Sequence, residues 1–228
     1  MTLSFDVIAT VQSAFATKFG IPRQAGLVPE LTSRIVFAPA YRNPDMLRGL
    51  EGFSHIWLLW NFSGNRQNGW SPTVRPPRLG GNARMGVFAT RSPFRPNPIG
   101  LSCVKLMEIL PDTPDGPVLV VAGADLMDGT PILDIKPYVP YADAHPDALG
   151  GFTDHAGEFL LEVHFPPQLL EKIPPQEQEA LVGVLSHDPR PSYQNDPERV
   201  YGLSFAGCNI RFRVEEKQLF VLEVSQDI

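Results

Sequence analysis

Acidic side chains are missing from the whole stretch between Glu51 and Glu108, in a chain that otherwise carries a net charge of −6. Seven cations stand there unopposed: Arg66, Arg75, Arg78, Arg84, Arg91, Arg95 and Lys105. Solvated surfaces normally mix the two signs, so this stretch implies an anionic partner. Cysteine is scarce too. Cys103 and Cys208 are the only two, without a CxxC spacing, which excludes a disulfide framework and a cysteine-built zinc site. The five histidines show no HExxH or other ligand spacing, so no metal is expected. No run of 18 apolar residues occurs, so no membrane-spanning helix is expected. The first residues lack the basic and apolar regions of a secretory signal, and a cytoplasmic location is the default expectation. There is no GxGxxG after a strand, no P-loop and no alternation of strand and helix, which argues against a dinucleotide or P-loop fold.

What the chain does have is proline, glycine and short apolar alternations: 24 Pro, 19 Gly and 43% apolar residues in 228. The basic stretch is dense in both turn formers, and these hold its arginines on rigid loops. Around it, period-two patterns predict strands at 4–16, 31–39, 84–91, 100–110, 118–122, 132–138, 158–165, 201–205, 209–214 and 219–224. The segment FSHIWLLWNF at 53–62 is apolar at both parities and predicts a strand buried on both sides, with His55 a core histidine. Asn43-Pro44 predicts a short helix ending near Gly52, and Pro174-Pro175 one running to His187 with Leu181, Val184 and Leu185 on its apolar side. Glu215–Lys217 predicts a three-residue hairpin loop. Ile132, Asp134, Lys136 and Tyr138 are expected on one face of their strand, lining either solvent or a cavity. The expected architecture is mainly β: one closed or nearly closed barrel over residues 1–167 and a small α+β domain over 168–228.

The wording of particular segments is more specific. PRLGGNARMGVFATRSPFRPNPIGLS, followed by DLMDGTPILDIKPYVPY, closely resembles the TsaA-like (TrmO-type) family of tRNA (adenine-N6)-methyltransferases. These are small β-barrel enzymes that modify threonylcarbamoyladenosine next to the anticodon. IPRQAGLV, RGLEGFSHIWLLW and the carboxy-terminal YGLSFAGCNIRFRV match the same family, so the resemblance covers nearly the whole chain. It implies S-adenosylmethionine as methyl donor, bound by a barrel rather than a Rossmann sheet. The implied donor contacts are Pro22, Arg23 and Gln24, then Ser63 and Gly64, then Arg91 and Leu101, then Asp125, Leu126, Met127 and Asp128. Ser63 and Gly64 stand where the family often has His-Gln, which favours a backbone contact there.

The chemistry of such a ligand agrees with these residue types. A carboxylate accepts two ribose hydroxyls, which suits Asp125 or Asp128. A guanidinium suits the tail carboxylate, at Arg91 or Arg23. An aromatic face suits the sulfonium, at Phe88, Phe94 or Tyr138. The resemblance further implies a tRNA anticodon loop as partner and a homodimer. Arg75, Arg78, Arg84 and Arg95 are the expected phosphate contacts, and Asn97 an expected contact to the adenine edge. Asp134 is the expected base, with Tyr138 an alternative and Lys136 steadying the carbamoyl oxygen. Two other readings remain open at this point: an RNA-binding barrel without chemistry, and a barrel methyltransferase acting on a protein or small molecule.

Overall fold

The computed structural model describes residues 3–64, 69–76, 83–154, 160–191, 194 and 196–226. Its first unit is a closed, fully antiparallel barrel of six strands: β1 (Ala9–Gln12), β2 (Thr32–Phe37), β3 (His55–Asn61), β6 (Ile99–Leu110), β7 (Val118–Ala122) and β8 (Pro131–Pro137). The order around the barrel is β1-β2-β7-β6-β3-β8, and β1 closes it by pairing with both β2 and β8. Closure leaves no unpaired edge among these strands. A two-stranded ribbon, β4 (Thr73–Val74) with β5 (Met85–Gly86), stands off the barrel inside the basic stretch.

Inward residues of each strand fill the barrel. Ala9, Val11, Ile35, Phe37, Ile56, Leu58, Val104, Leu119, Val121 and Ile132 are buried together. Trp60 closes one end of this core. Its indole leaves room only for glycine opposite, because a Cβ on Gly100 would fall 2.2 Å from the ring.

β3 differs from its expected double burial. Ile56, Leu58 and Trp60 are buried, but His55, Trp57, Leu59 and Asn61 are half-exposed on the outer face. His55 therefore lies outside the core, with Nδ1 2.9 Å from Ser54 Oγ. The long apolar run was misleading because an antiparallel barrel of this size has water, not helices, outside it.

β8 carries a second correction. Leu59 pairs with Asp134 but Trp60 pairs with Ile132, so one residue is bulged out between them. A bulge reverses the facing of everything beyond it. Ile132 thus points into the core, while Asp134 and Lys136 point outward beside Leu59 and Trp57.

Several expected strands are shorter than their patterns. Within 4–16 only Ala9–Gln12 pairs, and within 84–91 only Met85–Gly86 does, after which Val87–Ala89 forms a 3-10 turn. The Asn43-Pro44 start yields two 3-10 turns, Pro44–Leu47 and Leu50–Gly52, with Asn43 Oδ1 accepting from the Asp45 N–H.

The second unit is a four-stranded sheet, ordered β10 (Tyr201–Phe205), β11 (Cys208–Glu215), β12 (Gln218–Gln226) and β9 (Glu162–His164), with β9 parallel to β12. β9 precedes the expected 167/168 division yet pairs with this sheet. The hairpin between β11 and β12 has a two-residue loop, since Glu215 pairs with Gln218 and Glu216 adopts φ 51. The helix from Gln178 to Ser186 buries Ala180, Leu181, Val184 and Leu185 against the sheet.

The segment between β1 and β2 is claimed by the second unit. Phe15, Val28 and Leu31 belong to its core, and Phe15 meets Phe205 edge-on at 5.3 Å. The Ala206 N–H donates to Ala14 O at 2.8 Å, and His187 Nε2 lies 2.9 Å from Leu27 O. Gly20, at φ 86, sits where a Cβ would strike Leu203 at 2.3 Å. The carboxy-terminal unit therefore braces the loop that carries Pro22, Arg23 and Gln24.

Candidate functional site

At the Trp60 end of the barrel a cleft of about 710 Å³ opens, a volume suited to one cofactor-sized ligand. Four segments build it. The braced loop brings Pro22, Arg23 and Gln24. The end of β3 brings Asn61, Phe62, Ser63 and Gly64. The basic stretch and the start of β6 bring Phe88, Arg91, Arg95, Asn97 and Leu101. The turn after β7 brings Asp125, Leu126 and Met127.

The polar floor is a short chain of hydrogen bonds. Trp60 Nε1 donates to Ser102 Oγ at 3.0 Å, and Ser102 Oγ donates to Asp125 Oδ1 at 2.6 Å. Ser102 is 1% exposed, so its hydroxyl has no competing water and holds one carboxylate oxygen in place. Burial pushes the Asp125 carboxyl above the usual aspartate range. The Ser102 hydrogen bond, backbone N–H groups and the Arg91 charge pull the other way. Above this floor Arg91 Nη1 donates to Gln24 Oε1 at 2.5 Å, and the Gln24 amide donates to Arg23 O at 2.5 Å, so the basic stretch is tied to the braced loop. Arg95 Nη1 donates to Thr90 O at 3.0 Å, fixing the bend that precedes β6.

Ten of the eleven expected donor contacts line this one cleft, although they lie up to about a hundred residues apart in sequence. Asp128 is the one that does not. Its Oδ1 accepts from the Ser13 N–H at 3.0 Å and its N–H donates to Phe15 O, so it fastens the turn to the end of β1. Of the two carboxylates open for the ribose, the structure leaves Asp125.

Asp134, Lys136 and Tyr138 are not brought to the cleft. Asp134 Oδ2 lies 2.9 Å from Lys136 Nζ on the barrel's outer face, and both side chains are about half exposed. The Tyr138 ring sits 5.8 Å from that of Trp57 on the same face. Of the expected RNA contacts, Arg95 and Asn97 line the first cleft and Arg75 and Arg84 line a second. Arg78 lies outside the described residues. The feature that sequence reasoning missed is Ser102. Its neighbour Gly100 hinted at a close contact, but nothing in the pattern linked it to Trp60 and Asp125.

The residues fit S-adenosylmethionine. A half-buried carboxylate held by that polar floor, a guanidinium near it, and walls of Phe62, Leu101, Leu126 and Met127 match a ribose, an amino-acid tail and a flat base. A Cβ on Gly64 would make only ordinary contact with Met127 at 3.7 Å, so the wall there has room for a small side chain.

Comparison with known proteins adds the following. Residues 10–144 match the model of the tRNA-methyltransferase O N-terminal domain, and residues 158–227 that of the TrmO C-terminal domain. An Escherichia coli K12 protein named tRNA (adenine(37)-N6)-methyltransferase is 43% identical over 97% of this chain and 98% of its own. A Pseudomonas aeruginosa protein provisionally named S-adenosylmethionine-dependent methyltransferase RcsF is 39% identical over 99% of each chain. The crystal structure of TrmO from Pseudomonas aeruginosa superimposes with a TM-score of 0.77 at 33% identity, covering 99% of this chain and 100% of that one.

Proposed function

Because the chain belongs to the tRNA-methyltransferase O family, whose two domain models span it, we infer that it methylates N6 of an adenosine beside the anticodon of tRNA. S-adenosylmethionine is the methyl donor. The acceptor we assign within that class is N6-threonylcarbamoyladenosine. The observation that carries the reading is the convergence of Asp125, Arg91 and the braced Pro22–Gln24 loop on one cofactor-sized cleft.

When bound, the donor supplies an electrophilic methyl group. The chain's own residues position and shield it. Asp125 would accept the ribose hydroxyls on a carboxylate of which Ser102 already holds one oxygen. Arg91, tied to Gln24, would present its guanidinium to the tail carboxylate. Leu101, Leu126 and Met127 line the cleft and would help shield the bound donor from water. Holding two reactants in line is worth up to about 7–11 kcal/mol. No carboxylate other than Asp125 lines the cleft among the described residues, so within one chain the rate enhancement is chiefly positional.

A homodimer is supported by the outer barrel face, where Leu101 and Met107 are each 51% exposed and Leu59 and Trp57 lie along β3 opposite Leu101 and Cys103. Light scattering that returns a monomer at micromolar concentration rejects it. A cytoplasmic location follows from a tRNA substrate.

The test of function is incubation with S-adenosylmethionine and tRNA carrying or lacking the threonylcarbamoyl group, followed by mass spectrometry of the nucleosides. One added methyl on the modified adenosine alone is expected. Methylation of both tRNAs corrects the acceptor; methylation of neither, with donor binding intact, favours a protein or small-molecule acceptor.

A further inference from the structure

Next to the donor cleft lies a second and larger one, of about 1200 Å³. The two share Arg23, Gln24, Phe88, Thr90, Arg91 and Pro93, so they are chambers on either side of one partition. Phe88 stands on that partition and is 80% exposed. It is held there firmly. The 3-10 turn Val87–Ala89 buries Val87, whose N–H donates to Pro72 O at 3.0 Å and whose carbonyl accepts from Thr90 N at 3.2 Å and Thr90 Oγ1 at 2.9 Å. A second aromatic, Trp70, lines only the larger chamber and is 59% exposed. Its neighbour Ser71 is fixed by Ser71 Oγ donating to Thr73 O at 2.8 Å.

The charge of this chamber is equally one-sided. Arg75 and Arg84 lie just beyond the Val74↔Met85 pair, at the same end of the β4–β5 ribbon. Like charges across a strand pair repel. Among the described residues neither arginine has a carboxylate partner and no Asp or Glu lines the chamber. Exposed aromatics in a cationic cleft are how proteins hold unpaired nucleotides, since every base offers a face to stack on and every phosphate a charge to meet.

Resting on the tRNA substrate proposed above, we propose that this second chamber seats the acceptor nucleotide, with its base stacked on Phe88 so that N6 reaches across the partition. Trp70 stacks on a neighbouring base of the same single strand. Arg75 and Arg84 meet the anionic groups of the strand, which are its phosphates and the carboxylate of the threonyl substituent.

The experiment uses the full chain, S-adenosylmethionine, and two synthetic anticodon stem-loops that differ only in the threonylcarbamoyl group. Phe88→Ala, read at saturating donor because Phe88 also lines the donor cleft, is expected to weaken stem-loop binding about tenfold to a hundredfold, and Phe88→Tyr is expected to recover most of it. Trp70→Ala is expected to weaken RNA binding without touching donor binding. Arg75→Gln with Arg84→Gln separates the two anion sources: equal loss on both stem-loops assigns the arginines to phosphate, and loss on the modified one alone assigns them to the threonyl carboxylate. Phe88→Ala that weakens the donor and spares the RNA overturns the seat. So do variants that all match a wild type which does bind RNA. Wild-type protein that binds the donor and neither stem-loop removes the tRNA reading itself.

Discussion

Replacing Asp125 by Asn is expected to weaken donor binding and, at the same time, to stabilise the protein without donor. The carboxylate sits at the buried end of the Trp60–Ser102 hydrogen-bond chain, where burial raises its pKa. A raised pKa means that the folded state holds the proton more tightly than the unfolded state does. The stability this contributes is fully present below the ordinary aspartate value, about 3.9, and is lost as pH rises through the folded value. Above the folded value the ionised Asp125 is therefore a net burden on the fold. Asn removes the charge and keeps an oxygen to accept from Ser102. The melting temperature of the donor-free variant should exceed that of wild type at pH 7, by about 2–4 °C for each kcal/mol relieved in a chain of this size. The gap should close as pH falls toward the ordinary aspartate range. Binding moves the opposite way. A hydrogen bond to a charged acceptor is worth about 1.5–3 kcal/mol against about 0.5–1.5 for a neutral one. Two ribose hydroxyls thus lose about 2–3 kcal/mol together, or about 30-fold to 150-fold in affinity. Scanning calorimetry from pH 4 to 8 and titration with S-adenosylmethionine read the two effects separately. A variant with wild-type donor affinity, or one that melts lower at pH 7 when donor-free, refutes the assignment of Asp125.

Ser102→Ala leaves the Trp60 indole N–H without its acceptor and is expected to cost about 1–3 kcal/mol in urea unfolding. It also removes an interaction that lowers the Asp125 pKa, so the acid limb of donor binding should move to higher pH; an unmoved limb contradicts the link. Gly20→Ala, 2.3 Å from Leu203 and at positive φ, should shift the braced loop and weaken donor binding although Gly20 lies outside the cleft lining; unchanged titration curves contradict the bracing. Asp134→Asn breaks an exposed ion pair worth under about 1 kcal/mol and should leave single-turnover methylation within a few-fold of wild type. A loss of a hundredfold or more would restore Asp134 to the chemistry.

The barrel was legible because its strands obey a period of two and its turns are marked by proline and glycine. The facing of β8 was not, since a single bulge opposite Leu59 and Trp60 reverses Asp134 and Lys136 without a trace in the pattern. The double-sided look of β3 had a similar cause: Trp57 and Leu59 are apolar but lie on the outer face. Periodicity reports which residues alternate, not what stands beyond them. The donor cleft gathers residues from four separated segments, and only the wording of those segments made Pro22, Ser63, Arg91 and Asp125 one set. Ser102 escaped because its role depends on a cross-strand neighbour and a turn 23 residues later.

The central claim, that the cleft at the Trp60 end of the barrel holds the methyl donor, is met most directly by a crystal structure with S-adenosylhomocysteine. The ligand should lie between Asp125 and Arg91, with its ribose hydroxyls on the Asp125 carboxylate and its sulfur toward the Phe88 partition. Ordered ligand in any other cavity, or in this cleft with its ribose turned away from Asp125, would contradict the account.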